Sequence, residues 1–160
     1  MAKIPITENG FQRLKKELEH LKTVSIPENI KDIEEARAHG DLSENAEYTA
    51  AKERQAYLHG KISELENNLA SSEVIDLSKL TDDRVVFGST VIIEDIDSGT
   101  ETTYRLVGPL ESNVDKNQIS VTSPIGKALI GKEIGDEITV TTPGGFRKIE
   151  IVNIYIEDVE

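Results

Sequence analysis

Phe11 to Leu21 reads FQRLKKELEHL, and Leu58 to Leu69 reads LHGKISELENNL. Phe11, Leu14, Leu18 and Leu21 alternate steps of three and four, as do Leu58, Ile62, Leu65 and Leu69, which is the apolar seam of a coiled coil. Folded back on itself, the chain sets Leu14 opposite Leu69, Leu18 opposite Leu65 and Leu21 opposite Ile62. The residue numbers of these facing pairs add to one constant value, from which Ile33 with Ala51 departs by one. An antiparallel helical hairpin follows, turning near residues 41 to 43. Thr7 is placed to cap its first helix. Pro27 removes a helical hydrogen bond and predicts a kink, or a restart after Ser25. Arms of about 34 residues at about 1.5 Å per residue reach roughly 50 Å, more than a compact domain of this size requires.

The turn carries HGDLSENAEY, His39 to Tyr48. One reading is structural: Gly40 ends the first helix, Asp41 caps the second, and Glu44 completes a capping box three residues on. The other is chemical: Asp41 and Glu44 are carboxylates three residues apart at the end of a long arm, able to share a divalent cation or a water. Two carboxylates without a third ligand make a poor permanent metal site, so a partner would have to complete it. Behind the tip stand Arg37, Lys52 and Arg54. They are either ordinary solvated helix charge or a basic patch that steadies a phosphate backbone.

The composition changes near residue 77. Three glycines lie in residues 1–76 and eight in residues 77–160, where β-branched residues also become frequent. This predicts an α+β chain: a helical module over 1–76, then a sheet module over 77–160, with Asp76 to Arg84 as the linker. RVVFG, STVIIED, TTYRLVG, NQISVTS, DEITVTT and Phe146 to Ile156 read as strands of an antiparallel sheet. Turns at Asp97-Ser98-Gly99, Gly108-Pro109 and Pro143-Gly144-Gly145 separate them. Ser123 as N-cap, Pro124 at the first helical position and Gly131 as a stop make SPIGKALIG one short helix.

Composition excludes several chemistries. The 160 residues contain no Cys, hence no disulfide and no thiolate nucleophile, and three scattered His cannot build the usual structural zinc site. No P-loop, dinucleotide fingerprint or Ser-His-Asp constellation is present. The net charge of −12 argues against wrapping bare nucleic acid with the whole surface. Apolar runs are strand-sized and the N-terminus has no apolar signal core, so no membrane segment is expected and the expected location is the cytosol.

The stretches IPITENGFQRLKKELEHLK, EARAHGDLSENAEYTAAKE, RVVFGSTV, ISVTSPIGKALIGKEIGDE and TPGG resemble the Gre family of bacterial transcript cleavage (transcription elongation) factors along essentially the whole chain. The resemblance implies a coiled-coil hairpin that enters the secondary channel of RNA polymerase. It also implies an FKBP-like C-terminal domain that docks on the channel rim, with Ser123, Pro124 and Ile125 in the docking surface. Asp41 and Glu44 would then act in the polymerase active site with a shared Mg²⁺, while Arg37 and Lys52 meet the nascent RNA 3′ end. Such a factor is not itself an enzyme: it stimulates cleavage by the polymerase and so rescues backtracked complexes. A monomer in the bacterial cytoplasm, associated with the nucleoid through polymerase, is the corresponding expectation. The alternatives are a noncleaving inhibitor of the same fold, a prolyl isomerase and a coiled-coil adaptor. Leu42 and Ser43 between the two acids speak against the first, and four scattered aromatics (Phe87, Tyr104, Phe146, Tyr155) against the second.

Overall fold

The computed structural model describes residues 3–41 and 45–157. The chain divides into two compact units: Gln12–Ser71, and Met1–Phe11 together with Ser72–Glu160.

The first unit is the helical hairpin. Helix α1 (Glu8–His20) runs into a π-helical turn at Leu21–Ser25, helix α2 (Ile26–Ala38) continues the first arm, and helix α3 (Ala46–Ser71) forms the second. Thr7 caps α1, its hydroxyl accepting the Gly10 N–H at 3.1 Å. The restart expected after Ser25 is present as a π turn, in which the Ile26 N–H reaches back five residues to the Leu21 carbonyl. Pro27 has no N–H and its ring crowds the preceding turn, and the wider π turn absorbs both effects. The seam residues face inward as their spacing requires. Leu58 and Leu65 are buried, and Leu14, Leu18, Leu21, Ile62 and Leu69 are half-buried. Nearer the tip Ala36 and Ala51 join Ile33 among the buried residues, and Asn29 Nδ2 donates across the arms to the Ala51 carbonyl at 2.9 Å.

The second unit is built on a five-stranded sheet, in spatial order β5-β4-β3-β7-β6. Its strands are β3 (Ser89–Asp95), β4 (Glu101–Val107), β5 (Gln118–Ser120), β6 (Glu137–Thr142) and β7 (Gly145–Ile156). The same unit holds a parallel pair, β1 (Ile4–Ile6) with β2 (Ser72–Val74), too short for strand periodicity to announce. Between Ile92 and Ile93 the β3–β7 register slips by one residue, so Val152 is bulged out. The inward positions of β7 accordingly change parity, from Ile149 and Ile151 to Ile154, and all three remain in the core with Val91, Ile93, Leu106 and Leu129.

Two expectations are corrected. RVVFG is not a strand: the buried Val85 donates its N–H to the Lys132 carbonyl (2.8 Å) and accepts the Gly131 N–H (2.7 Å). The Val85 side chain enters the core while its backbone is satisfied by the loop after the short helix, and Val86 and Phe87 are half-buried. The sheet is also not wholly antiparallel, because β5 runs parallel to β4. Residues 108–117 carry the chain back to the level of Arg105 before β5 begins, and a parallel pairing requires such a return. The short helix, α4 (Pro124–Leu129), opens and stops as expected, with Gly131 at φ +84° beyond its end.

Candidate functional site

The hairpin tip is organised by Asn45. Its Oδ1 accepts the Tyr48 N–H at 3.0 Å, capping α3, while its Nδ2 donates across the turn to the Ala36 carbonyl at 2.7 Å. One side chain thus starts the second arm and ties it to the end of the first. This corrects the structural reading of Asp41 as the α3 cap: Asp41 lies four residues before the capping position, at an exposed site after Gly40, whose φ is +111°. His39 Nδ1 and Glu47 Oε2 meet at 2.8 Å across the mouth of the turn, and Asp41 shares their recess with Asn45 and Ala46. Glu44 lies outside the described residues.

Among the described residues no group of three or more His, Asp or Glu side chains could hold a metal ion. The donor chemistry at Asp41 is nevertheless that of a Mg²⁺ ligand: an exposed carboxylate, the hard oxygen type that this ion takes one or two at a time while keeping waters. Asp41 fits as part of such a ligand set.

The three basic residues behind the tip divide between two flanks. The Arg37 guanidinium lies 6.0 Å from the centroid of the Tyr48 ring, within cation–π range. Lys52 follows Tyr48 by four residues on the same stripe of α3 and donates to Gln55 Oε1 at 2.7 Å. Arg37 and Lys52 therefore share a flank. Arg54 stands on the opposite one, beside Asn29, Asp32, His39 and Glu47. The expected three-residue cluster is a pair.

In the sheet unit, Ser123 Oγ accepts the Gly126 N–H at 3.1 Å and donates to the Ser120 carbonyl at 2.6 Å, holding α4 to the end of β5. Gly126 is buried there, and a Cβ at this position would collide with the Ser120 carbonyl oxygen. Pro124 is exposed, while Ile125 is half-buried and packs against the core. Of the three residues assigned to docking, Pro124 offers the most surface and Ile125 mainly anchors the helix.

Residues 4–74 match the family model described as transcription elongation factor, N-terminal, and residues 80–156 match that of transcription elongation factor, GreA/GreB, C-term. The chain belongs to the GreA/GreB family of transcription elongation factors. Transcription elongation factor GreA of Syntrophus aciditrophicus (strain SB) is 71% identical over 160 residues, covering 100% of this chain and 99% of its own length. GreA of Anaeromyxobacter sp. (strain K) is 52% identical over 159 residues, covering 99% and 96%. A solved structure of the transcription factor Gfh1 aligns over 97% of this chain and 99% of its own at 32% identity, with a TM-score of 0.46.

In this GreA/GreB chain the residues that sequence reasoning overlooked are Asn45 and Tyr48. The N-cap rule applies to Asn45 as well as to Asp41, and the amide decides, since only Asn45 can both accept from Tyr48 and donate to Ala36. Tyr48 carried a readable signal: it is four residues before Lys52, hence on its stripe.

Proposed function

We propose that Asp41 and Glu44 are the residues through which this chain acts on transcription. A factor of this family binds RNA polymerase at its secondary channel and stimulates transcript cleavage, the nuclease being the polymerase and not the factor. The observation that carries the assignment is the exposed Asp41 on a tip whose helix cap and cross-turn tie are both supplied by Asn45. The α3 helix does not depend on Asp41 for its cap.

Asp41 and Glu44 would together hold a Mg²⁺ shared with the polymerase active site. When bound, that ion would favour hydrolysis by generating a hydroxide-like nucleophile and neutralising charge on the phosphoryl oxygens. Glu44 orients the attacking water or accepts its proton. Asn45 ties the start of α3 to the end of α2 on either side of the acids, and small displacements of a positioned group cost large factors in rate. Arg37 and Lys52 steady the phosphates of the nascent RNA 3′ end from one flank, contacts that position without reading sequence. The helical hairpin is thus the channel module and the sheet unit, to which residues 1–11 and 72–76 also belong, the docking module, with Ser123 and Pro124 at the rim and Ile125 fixing their helix. The protein works as a monomer in the cytoplasm.

Halted elongation complexes carrying 3′-labelled RNA test this directly, with and without the protein and Mg²⁺. Short labelled 3′ fragments should be released faster only when polymerase, protein and Mg²⁺ are all present. Unchanged release would point to an inhibitor or an adaptor. Cleavage of free RNA by the protein alone would contradict the division of labour.

A further inference from the structure

On the sheet unit, far in sequence from the tip, a cleft of about 320 Å³ lies against the β3–β4 pair, lined by Thr90, Thr103, Arg105, Lys116, Asn117 and Glu157 among others. Thr90 is only 2% exposed, and its hydroxyl has no hydrogen-bond partner. Arg105 is its cross-strand neighbour in register, and the Arg105 Nε–H is buried and equally unpartnered. Neither Arg105 nor Lys116 forms an ion pair among the described residues, although acids outnumber bases 30 to 18 in the chain. Among the described residues that line it, two cations stand against the single carboxylate of Glu157, on a protein of net charge −12.

Buried donors are normally satisfied, and a guanidinium held half-buried without an acceptor needs a reason. We propose that this cleft is an oxyanion-binding site. An oxygen of a phosphate or carboxylate group is taken by the Arg105 guanidinium, with the Thr90 hydroxyl beneath it and the Lys116 ammonium at the rim. Arg105 supplies the geometry, since its planar fork pairs two oxygens of either group, and Lys116 supplies a movable point charge. The Thr90 hydroxyl and the Arg105 Nε–H are closed to solvent, so a small rotation of the Arg105 side chain accompanies entry of the anion. Glu157 sets an upper limit on affinity by opposing any second negative charge. The proposal is independent of the tip chemistry, because every residue it uses belongs to the sheet unit.

The test follows the arginine Nε–H resonances of the ¹⁵N-labelled full chain during titration with inorganic phosphate, then with acetate, at constant ionic strength against chloride. The Arg105 signal is the one missing from Arg105→Lys. It should shift saturably with phosphate or acetate and not with chloride, and the stronger of the two identifies the group the cleft prefers. Thr90→Val and Lys116→Ala should each weaken binding by about fivefold or more, the effect of one hydrogen bond or one charge contact. Thr90→Ser, which keeps the hydroxyl, should bind as the parent does. A linear drift shared with chloride, or unchanged affinity in both Thr90→Val and Lys116→Ala, would overturn the site.

Discussion

Asn45 Nδ2 lies 2.7 Å from the Ala36 carbonyl oxygen, so the residue that begins the second arm of the hairpin also closes the end of the first. The Ala36 carbonyl already accepts the His39 N–H at 3.2 Å in the last turn of α2, and this amide gives it a second donor while its own oxygen satisfies a donor at the start of α3.

Asn45→Ala should therefore cost more than a simple cap, about 2 kcal/mol by urea unfolding. Asn45→Asp keeps the acceptor and loses only the donor to Ala36, and should cost about half as much. Both variants should slow stimulated cleavage at saturating protein, Asn45→Ala the more, because the two arms lose their tie at Ala36.

Arg37 and Lys52 share the Tyr48 flank and Arg54 does not, which gives an internal control. Changing Arg37 and Lys52 to Ala should remove about 1 kcal/mol of RNA interaction per residue at low salt and flatten the salt dependence of cleavage. Crosslinking to the RNA 3′ end should fall, while binding to RNA-free polymerase stays the same. Arg54→Ala should leave the salt slope unchanged. Equal effects from the two flanks would return all three residues to ordinary surface charge.

Glu111 is 7% exposed and accepts hydrogen bonds from the Thr7 N–H (3.0 Å), the Thr7 hydroxyl and the Gly108 N–H (2.9 Å). Glu111→Ala leaves two buried backbone N–H groups without an acceptor and should destabilise the sheet unit by about 3 kcal/mol or more. Gly108→Ala should be destabilising in the same assay, since the added methyl would meet the Pro5 carbonyl oxygen.

Acid sensitivity should trace in part to Asp95. The Ser98 backbone N–H, then the Arg147 side chain and the Asp97 N–H, hold its carboxyl below the ordinary carboxylate range. A carboxyl depressed in the folded state contributes stability above its unfolded value of about 3.9, and that contribution is lost as pH falls through the folded value. Asp95→Asn should lower stability at neutral pH and flatten the fall below about pH 4, read from urea midpoints across a pH series. Asp76, held down chiefly by the Ser78 hydroxyl, acts in the same direction and should leave part of that acid limb in place.

The hairpin was legible because steps of three and four leave only one face to bury, and α4 because Ser, Pro and Gly mark both of its ends. The β-branched run at Val85-Val86 says that its side chains are buried, but not whether its backbone pairs with a strand or with the loop at Gly131 and Lys132. Strand direction is likewise unwritten: QIS would read the same beside β4 in either orientation. At the tip, several residues of DLSEN can cap a helix, and the choice of Asn45 rests on a contact with Ala36, nine residues away. The split between Lys52 and Arg54 was within reach, since two residues on a helix point about 200° apart.

The assignment of Asp41 is tested most directly by Asp41→Asn in halted elongation complexes titrated with Mg²⁺. Polymerase binding should be nearly unchanged, while stimulated release of the labelled 3′ fragment should fall by about a hundredfold or more at limiting Mg²⁺, with partial recovery at high Mg²⁺. Full cleavage by Asp41→Asn at limiting Mg²⁺ would contradict it.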